Sequence, residues 1–81
     1  MNTLERYYNI QNKLKKLNET LSLVWISKEL SDYNIQIKRQ TLWNYIHKDK
    51  KKIYSNDLKN IEDLEIFFES LESLNDKNNY E

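Results

Sequence analysis

Residues 21–46 read LSLVWISKELSDYNIQIKRQTLWNYI, two short apolar stripes at helical spacing on either side of a polar turn. In the first stripe Ile26 and Leu30 stand four residues apart and share one face of a helix. Ser22 is placed to accept a hydrogen bond from the unpaired amides of that helix's first turn. Leu21 before it and Ile26 after it form a hydrophobic staple. In the second stripe, over about Arg39–His47, Leu42, Tyr45 and Ile46 make the inner face. Arg39, Gln40, Trp43, Asn44 and His47 fall on the other faces. The segment 32–36 between them is a turn without glycine, and Asn34 is the residue best able to enter the left-handed region there. Residues 33–37 alternate too briefly for more than a two- or three-residue extended piece.

Outward from this pair the period stays helical. A first helix is expected from about Leu4 to Leu17, with Leu4, Tyr7, Tyr8, Ile10, Leu14 and Leu17 at three/four spacing. Asn2 and Glu5 suit its first turn, and Lys13, Lys15 and Lys16 its negative end. A fourth helix begins after Ser55 or Asn56. Its stripe is Leu58, Ile61, Leu64, Phe67, Phe68, Leu71 and Leu74, opposite Glu62, Asp63, Glu65, Glu69 and Glu72. The reading is all-α: four helices, a helix-turn-helix core at about 22–47 and an amphipathic C-terminal helix. They form one domain over 1–74, with a frayed polar tail at 75–81.

Composition narrows the function. The 81 residues make one small domain with a thin core. Cys, Gly and Pro are all absent and His47 is the sole histidine, which leaves no disulfide, thiolate metal site, glycine-rich phosphate loop or Ser-His-Asp set. No cofactor, metal or enzymatic activity is expected. No apolar run suits a membrane and residues 1–5 do not read as a leader peptide, so a cytoplasmic protein is expected. The carboxylates Glu62 with Glu65, and Glu69 with Glu72, lack an opposing acid or nucleophile and read as a solvated face.

The net charge of zero hides an asymmetry. Residues 1–54 carry 11 Lys+Arg against 5 Asp+Glu, and residues 55–81 carry 2 against 8, a net of +6 followed by −6. Either one side of the molecule binds anions, or the two halves attract each other.

The pieces Ile26-Ser27-Lys28-Glu29-Leu30 and Lys38-Arg39-Gln40-Thr41-Leu42-Trp43-Asn44-Tyr45-Ile46 together resemble the helix-turn-helix of bacterial and phage transcription regulators. In that family a helix of the form I-[AS]-x-x-L packs across a recognition helix of the form [ST]-x-x-T-[VIL]-x-x-[YF]-[LI]. The likeness covers roughly a third of the chain. Here the turn is about five residues longer than the compact motif and lacks its small residue, and Lys38 stands where Ser or Thr caps the second helix.

The resemblance implies a small regulator of a phage or other mobile element that binds double-stranded DNA through the third helix. Arg39 can donate bidentately to guanine, and Gln40 or Asn44 to adenine. Lys38 and Lys48, with the hydroxyls of Thr41 and Tyr45, reach phosphates, and Lys50, Lys51 and Lys52 extend the cationic strip. Trp43 is either a cover against the fourth helix or a contact. His47 suits a surface helix end, and Trp25 is expected in the core between the first and third helices. The plain alternative for Arg39, Gln40 and Asn44 is a solvated helix face, and for residues 48–52 a solvated loop. A homodimer is expected on a partly palindromic site. Its interface would be Ile61, Leu64, Phe67, Phe68, Leu71 and Leu74, with Phe67 and Leu74 exposed in the single chain. A second function of another class is a helical interaction protein, such as a phage-encoded inhibitor of a host enzyme, whose partner docks on the acidic fourth helix.

Overall fold

A computed structural model of the chain describes residues 2–79, and side chains over residues 2–74. The elements are α1 (Thr3–Asn18), α2 (Leu23–Asp32), α3 (Arg39–His47) and α4 (Ser55–Asn79), with no strand among the described residues. No described helix is long and apolar enough to cross a membrane. Of the tail expected at 75–81, the backbone is helical to Asn79, and residues 80 and 81 lie outside the described residues.

The first two helices start at side-chain caps. The Glu5 amide donates to Asn2 Oδ1 at 2.9 Å and Asn2 Nδ2 donates back to Glu5 Oε1 at 3.1 Å, so both ends of a capping box are made. At α2 the Trp25 amide donates to Ser22 Oγ at 3.4 Å. Ser22→Ala is expected to lower stability by about 1 kcal/mol, read from the denaturant midpoint. An unchanged midpoint would mean that the cap contributes nothing.

The glycine-free turn closes as a Schellman motif. Asn34 takes φ 61°. The Ile35 amide donates to the Leu30 carbonyl at 3.0 Å and the Asn34 amide to the Ser31 carbonyl at 2.9 Å. These bonds satisfy the last carbonyls of α2, and the asparagine side chain tolerates the left-handed backbone. Ile35 and Ile37 are then both buried, while Gln36 and Lys38 between and after them are exposed. The alternation anchors an extended segment in the core without any strand partner.

α1 packs against both α3 and α4, and α2 packs against α3. One core joins Tyr7, Ile10 and Leu14 of α1, Ile26 and Leu30 of α2, and Ile35 and Ile37 of the turn. It is completed by Leu42, Tyr45 and Ile46 of α3 and Ile61, Leu64, Phe67 and Phe68 of α4. α4 has 25 residues, so at 1.5 Å per residue it is about 37 Å long and sets the 42 Å long axis of the molecule.

Two expectations are corrected. Trp25 is not core: it is 53% exposed, with the Lys28 ammonium 4.8 Å from its ring centroid. Ile26 and Leu30 already define the buried side of α2, and a neighbouring residue sits about 100° around the helix. Phe67 is not exposed either, at 1%. Tyr33, at the end of α2, meets it edge-on with centroids 5.3 Å apart, while Phe68 is buried beside it on the same helix. Ile61, Leu64, Phe67 and Phe68 are thus all core residues of the single chain and cannot also form a dimer interface. Leu71 is half-buried against the same core. The exposed apolar side chains of α4 are Ile66, absent from the expected stripe, and Leu74.

Candidate nucleic-acid interface

α3 is held from one side only. Leu42, Tyr45 and Ile46 are buried, while Arg39, Gln40, Trp43 and His47 are exposed and Thr41 and Asn44 are half-buried. At 100° per residue, positions 39, 43, 47, 40 and 44 sweep an arc of about 140°. The Gln40 amide donates to Asn44 Oδ1 at 3.2 Å, which aligns two amide side chains along that arc. Trp43 lies beside His47 with ring centroids 4.5 Å apart. Trp43 does not cover a gap under α4; it is 41% exposed on the outer face.

Lys38 is the N-cap of α3 and makes no side-chain cap hydrogen bond. The first amide bonded within the helix is that of Leu42, to the Lys38 carbonyl at 3.0 Å. The first-turn amides therefore point outward with a lysine beside them, an arrangement that suits an anion. Leu23 and Val24 of α2 complete the surface. With Arg39, Gln40 and Trp43 they line a shallow groove between the starts of the two helices. Sequence reading missed these two, since they continue the apolar run that begins at Leu21; Val24 is nonetheless 55% exposed.

The lysine segment after α3 is tied down by its backbone. The Lys48 carbonyl accepts from Tyr7 Oη at 2.6 Å and from Gln11 Nε2 at 3.1 Å, and the Lys50 carbonyl accepts from Tyr8 Oη at 2.9 Å. Gln11 is buried, so α1 spends a buried amide and two tyrosine hydroxyls on fixing this loop beside α3. The plain solvated loop does not describe it. Nothing in the spacing of Tyr7, Tyr8 and Gln11 marks them as partners of carbonyls some 40 residues away.

Two expected phosphate contacts are corrected. Tyr45 Oη donates to Asp57 Oδ1 at 2.7 Å and accepts from Asn60 Nδ2 at 3.0 Å, so its hydroxyl faces α4. Lys50 Nζ pairs with Asp57 Oδ2 at 3.2 Å and belongs to the same buried cluster. Lys38, Lys48, Lys51 and Lys52 are exposed. Lys52 Nζ lies 5.5 Å from the Tyr54 ring centroid.

Burial pushes the Tyr7 phenol up to about 12, and raises that of Tyr45 as well. An unfolded tyrosine ionises near pH 10, so the folded chain retains protons that the unfolded chain has lost. Stability is therefore full below about pH 10 and falls as the pH rises from there toward 12. Urea midpoints measured up to about pH 11 are expected to show this decline, and Tyr45→Phe to flatten it. At neutral pH Tyr45→Phe costs about 1–3 kcal/mol, because Asp57 and Asn60 lose a buried partner. A Tyr45→Phe protein as stable as the parent, with the same alkaline decline, would contradict the cluster.

The ion pairs sort the cations into two sets. Arg6 makes a fork on Glu65, Nε to Oε2 at 3.1 Å and Nη2 to Oε1 at 2.5 Å. That hydrogen-bonded pairing holds the Glu65 carboxyl below its usual range. Lys13 meets Glu72 at 3.0 Å, and Lys59 meets Asp63 at 3.2 Å on the same helix. Together with Lys50–Asp57 these contacts engage Asp57, Asp63, Glu65 and Glu72 of α4 with the loop, α4 itself and α1, while no ion pair of the described residues includes Glu62 or Glu69. Among the described residues no ion pair engages Lys38, Arg39, Lys48, Lys51 or Lys52. The attraction between the two halves is thus made through Arg6, Lys13 and Lys50, and Lys38, Arg39, Lys48, Lys51 and Lys52 take no part in it. Compared with known proteins, the chain matches no family model, no curated protein and no solved structure.

Proposed function

We propose that the chain binds double-stranded DNA through the outer face of α3, as a small helix-turn-helix regulator of the kind carried by phages and other mobile elements. The observation that carries this reading is the segregation of charge. Among the described residues Asp57, Asp63, Glu65 and Glu72 of α4 pair within the fold, while Lys38, Arg39, Lys48, Lys51 and Lys52, on α3 and the loop that α1 fixes beside it, make no ion pair; Lys15, Lys16 and Lys28 make none either but stand on α1 and α2. A duplex is the partner whose charge and dimensions suit a nine-residue helix edged with lysines. Arg39, Gln40 and Asn44 supply donors for base edges, and Lys38, Lys48, Lys51 and Lys52 supply phosphate contacts.

The alternative, a protein partner on the acidic helix, would work through Glu62 and Glu69, which are exposed and make no ion pair among the described residues; Glu65, Glu72, Asp57 and Asp63 are each engaged by a cation of the same chain. Two copies on a two-fold site would double the base contacts of one short helix. The apolar side chains exposed for such a pairing are Ile66 and Leu74.

The test is retardation of an AT-rich duplex as a function of salt. Binding is expected at low salt and a loss of orders of magnitude by about 200 mM. Replacing Lys51 and Lys52 together with alanine lowers the log–log salt slope by about two. Lys50→Ala, whose ammonium is held by Asp57, lowers the slope less and the melting temperature more. Duplex binding absent at low salt, or indifferent to salt, would end the DNA reading.

A further inference from the structure

The groove between α2 and α3 contains something that phosphate binding does not explain. Val24 and Trp43 are 55% and 41% exposed, and they line the groove together with Leu23 and the two donor side chains Arg39 and Gln40. No carboxylate lines this groove. A groove lined by Leu23, Val24 and Trp43 together with the donors Arg39 and Gln40, on a helix flanked by exposed lysines, suits an anionic partner that also carries an apolar group. In a duplex the apolar feature of the major groove is the 5-methyl group of thymine, and its neighbours there are the acceptors of the purines. Trp43 is braced by His47 at 4.5 Å, so its ring is presented as a surface.

Building on the DNA reading, we infer that the Val24–Trp43 groove reads the 5-methyl group of a pyrimidine in the major groove, while Arg39 and Gln40 read the base pairs beside it. The specificity of the protein is then for methyl-bearing steps, and this accounts for an exposed tryptophan on a helix otherwise edged with polar groups.

The experiment compares four alternating polymers: poly(dA-dT) with poly(dA-dU), and poly(dG-dC) with its 5-methylcytosine counterpart. Within each pair the bases differ only by the methyl group. Wild-type protein at low salt is expected to bind the methylated member of each pair about fourfold more tightly, the worth of burying one methyl group. Trp43→Ala is expected to bind both members alike, and Trp43→Phe to keep part of the preference. Trp43 is exposed, so these variants should fold, and circular dichroism verifies it. Equal affinities for both members in the wild type would overturn the inference. So would a preference that survives Trp43→Ala, because the methyl would then act through duplex shape. Duplex affinity unmoved by both the methyl and Trp43→Ala would assign the groove to a protein partner instead. In each of these outcomes the DNA reading itself stands; it falls separately if none of the four polymers is bound.

Discussion

Phe67→Glu is expected to leave no folded protein. The side chain is 1% exposed, against Tyr33 on one side and Phe68 on the other. Removing a buried phenyl costs about 3–5 kcal/mol. Placing a carboxylate there adds several more, because the site is buried among aromatic side chains and the group must desolvate or take up a proton. At roughly 0.05–0.15 kcal/mol per residue the whole chain has about 4–12 kcal/mol to lose. Far-ultraviolet circular dichroism and thermal melting decide the outcome. The control is Ile66→Glu, one residue earlier but 57% exposed, which should shift stability by no more than about 0.5 kcal/mol. The same pair separates folding from association, since Ile66→Glu is expected to give a folded protein that light scattering finds monomeric. A Phe67→Glu protein that melts like the parent would show that α4 does not bury this face.

The second large effect is on binding. Arg39→Ala is expected to weaken the best duplex site by about 1–3 kcal/mol, roughly 5- to 150-fold, and to relax preference at one base pair. Arg39 is exposed at the start of α3 and none of the ion pairs of the fold includes it, so the melting temperature should not move. That separation matters: a residue on a merely solvated face would change neither affinity nor stability, and a structural one would change stability. Fluorescence anisotropy on selected and scrambled duplexes gives the affinity ratio. Unchanged affinity and preference in a folded Arg39→Ala protein would remove α3 as the recognition helix.

Much of the local structure was legible in the sequence, because it rests on short-range chemistry. Asn2 and Ser22 cap the helices that follow them, Asn34 takes the left-handed turn, and Lys38 leaves α3 without a side-chain cap. Leu42, Tyr45 and Ile46 are buried, and the polar positions of α3 face outward or stand half-buried. Periodicity identifies a stripe, but where a stripe is wide it does not say which flank a neighbour covers. That is why Trp25 was expected inside and Phe67 outside, and each proved the reverse.

Four helices, the caps of the first two and the polar arc of α3 were readable from the chain alone, since caps and period-3.6 patterns act over a few residues. Three other matters depend on contacts between distant residues. Tyr33 closes over Phe67, so the aromatic pair of α4 serves the core of one chain. Tyr7, Tyr8 and Gln11 bind the carbonyls of Lys48 and Lys50, which turns a lysine-rich loop into a fixed edge of α3. And four acids of α4 take Arg6, Lys13, Lys50 and, within the helix itself, Lys59, so that among the described residues Lys38, Arg39, Lys48, Lys51 and Lys52 on α3 and its loop are without an ion pair, as are Lys15, Lys16 and Lys28 elsewhere. These contacts join residues far apart in the chain, and a charge count or a spacing rule contains no term for distance in space.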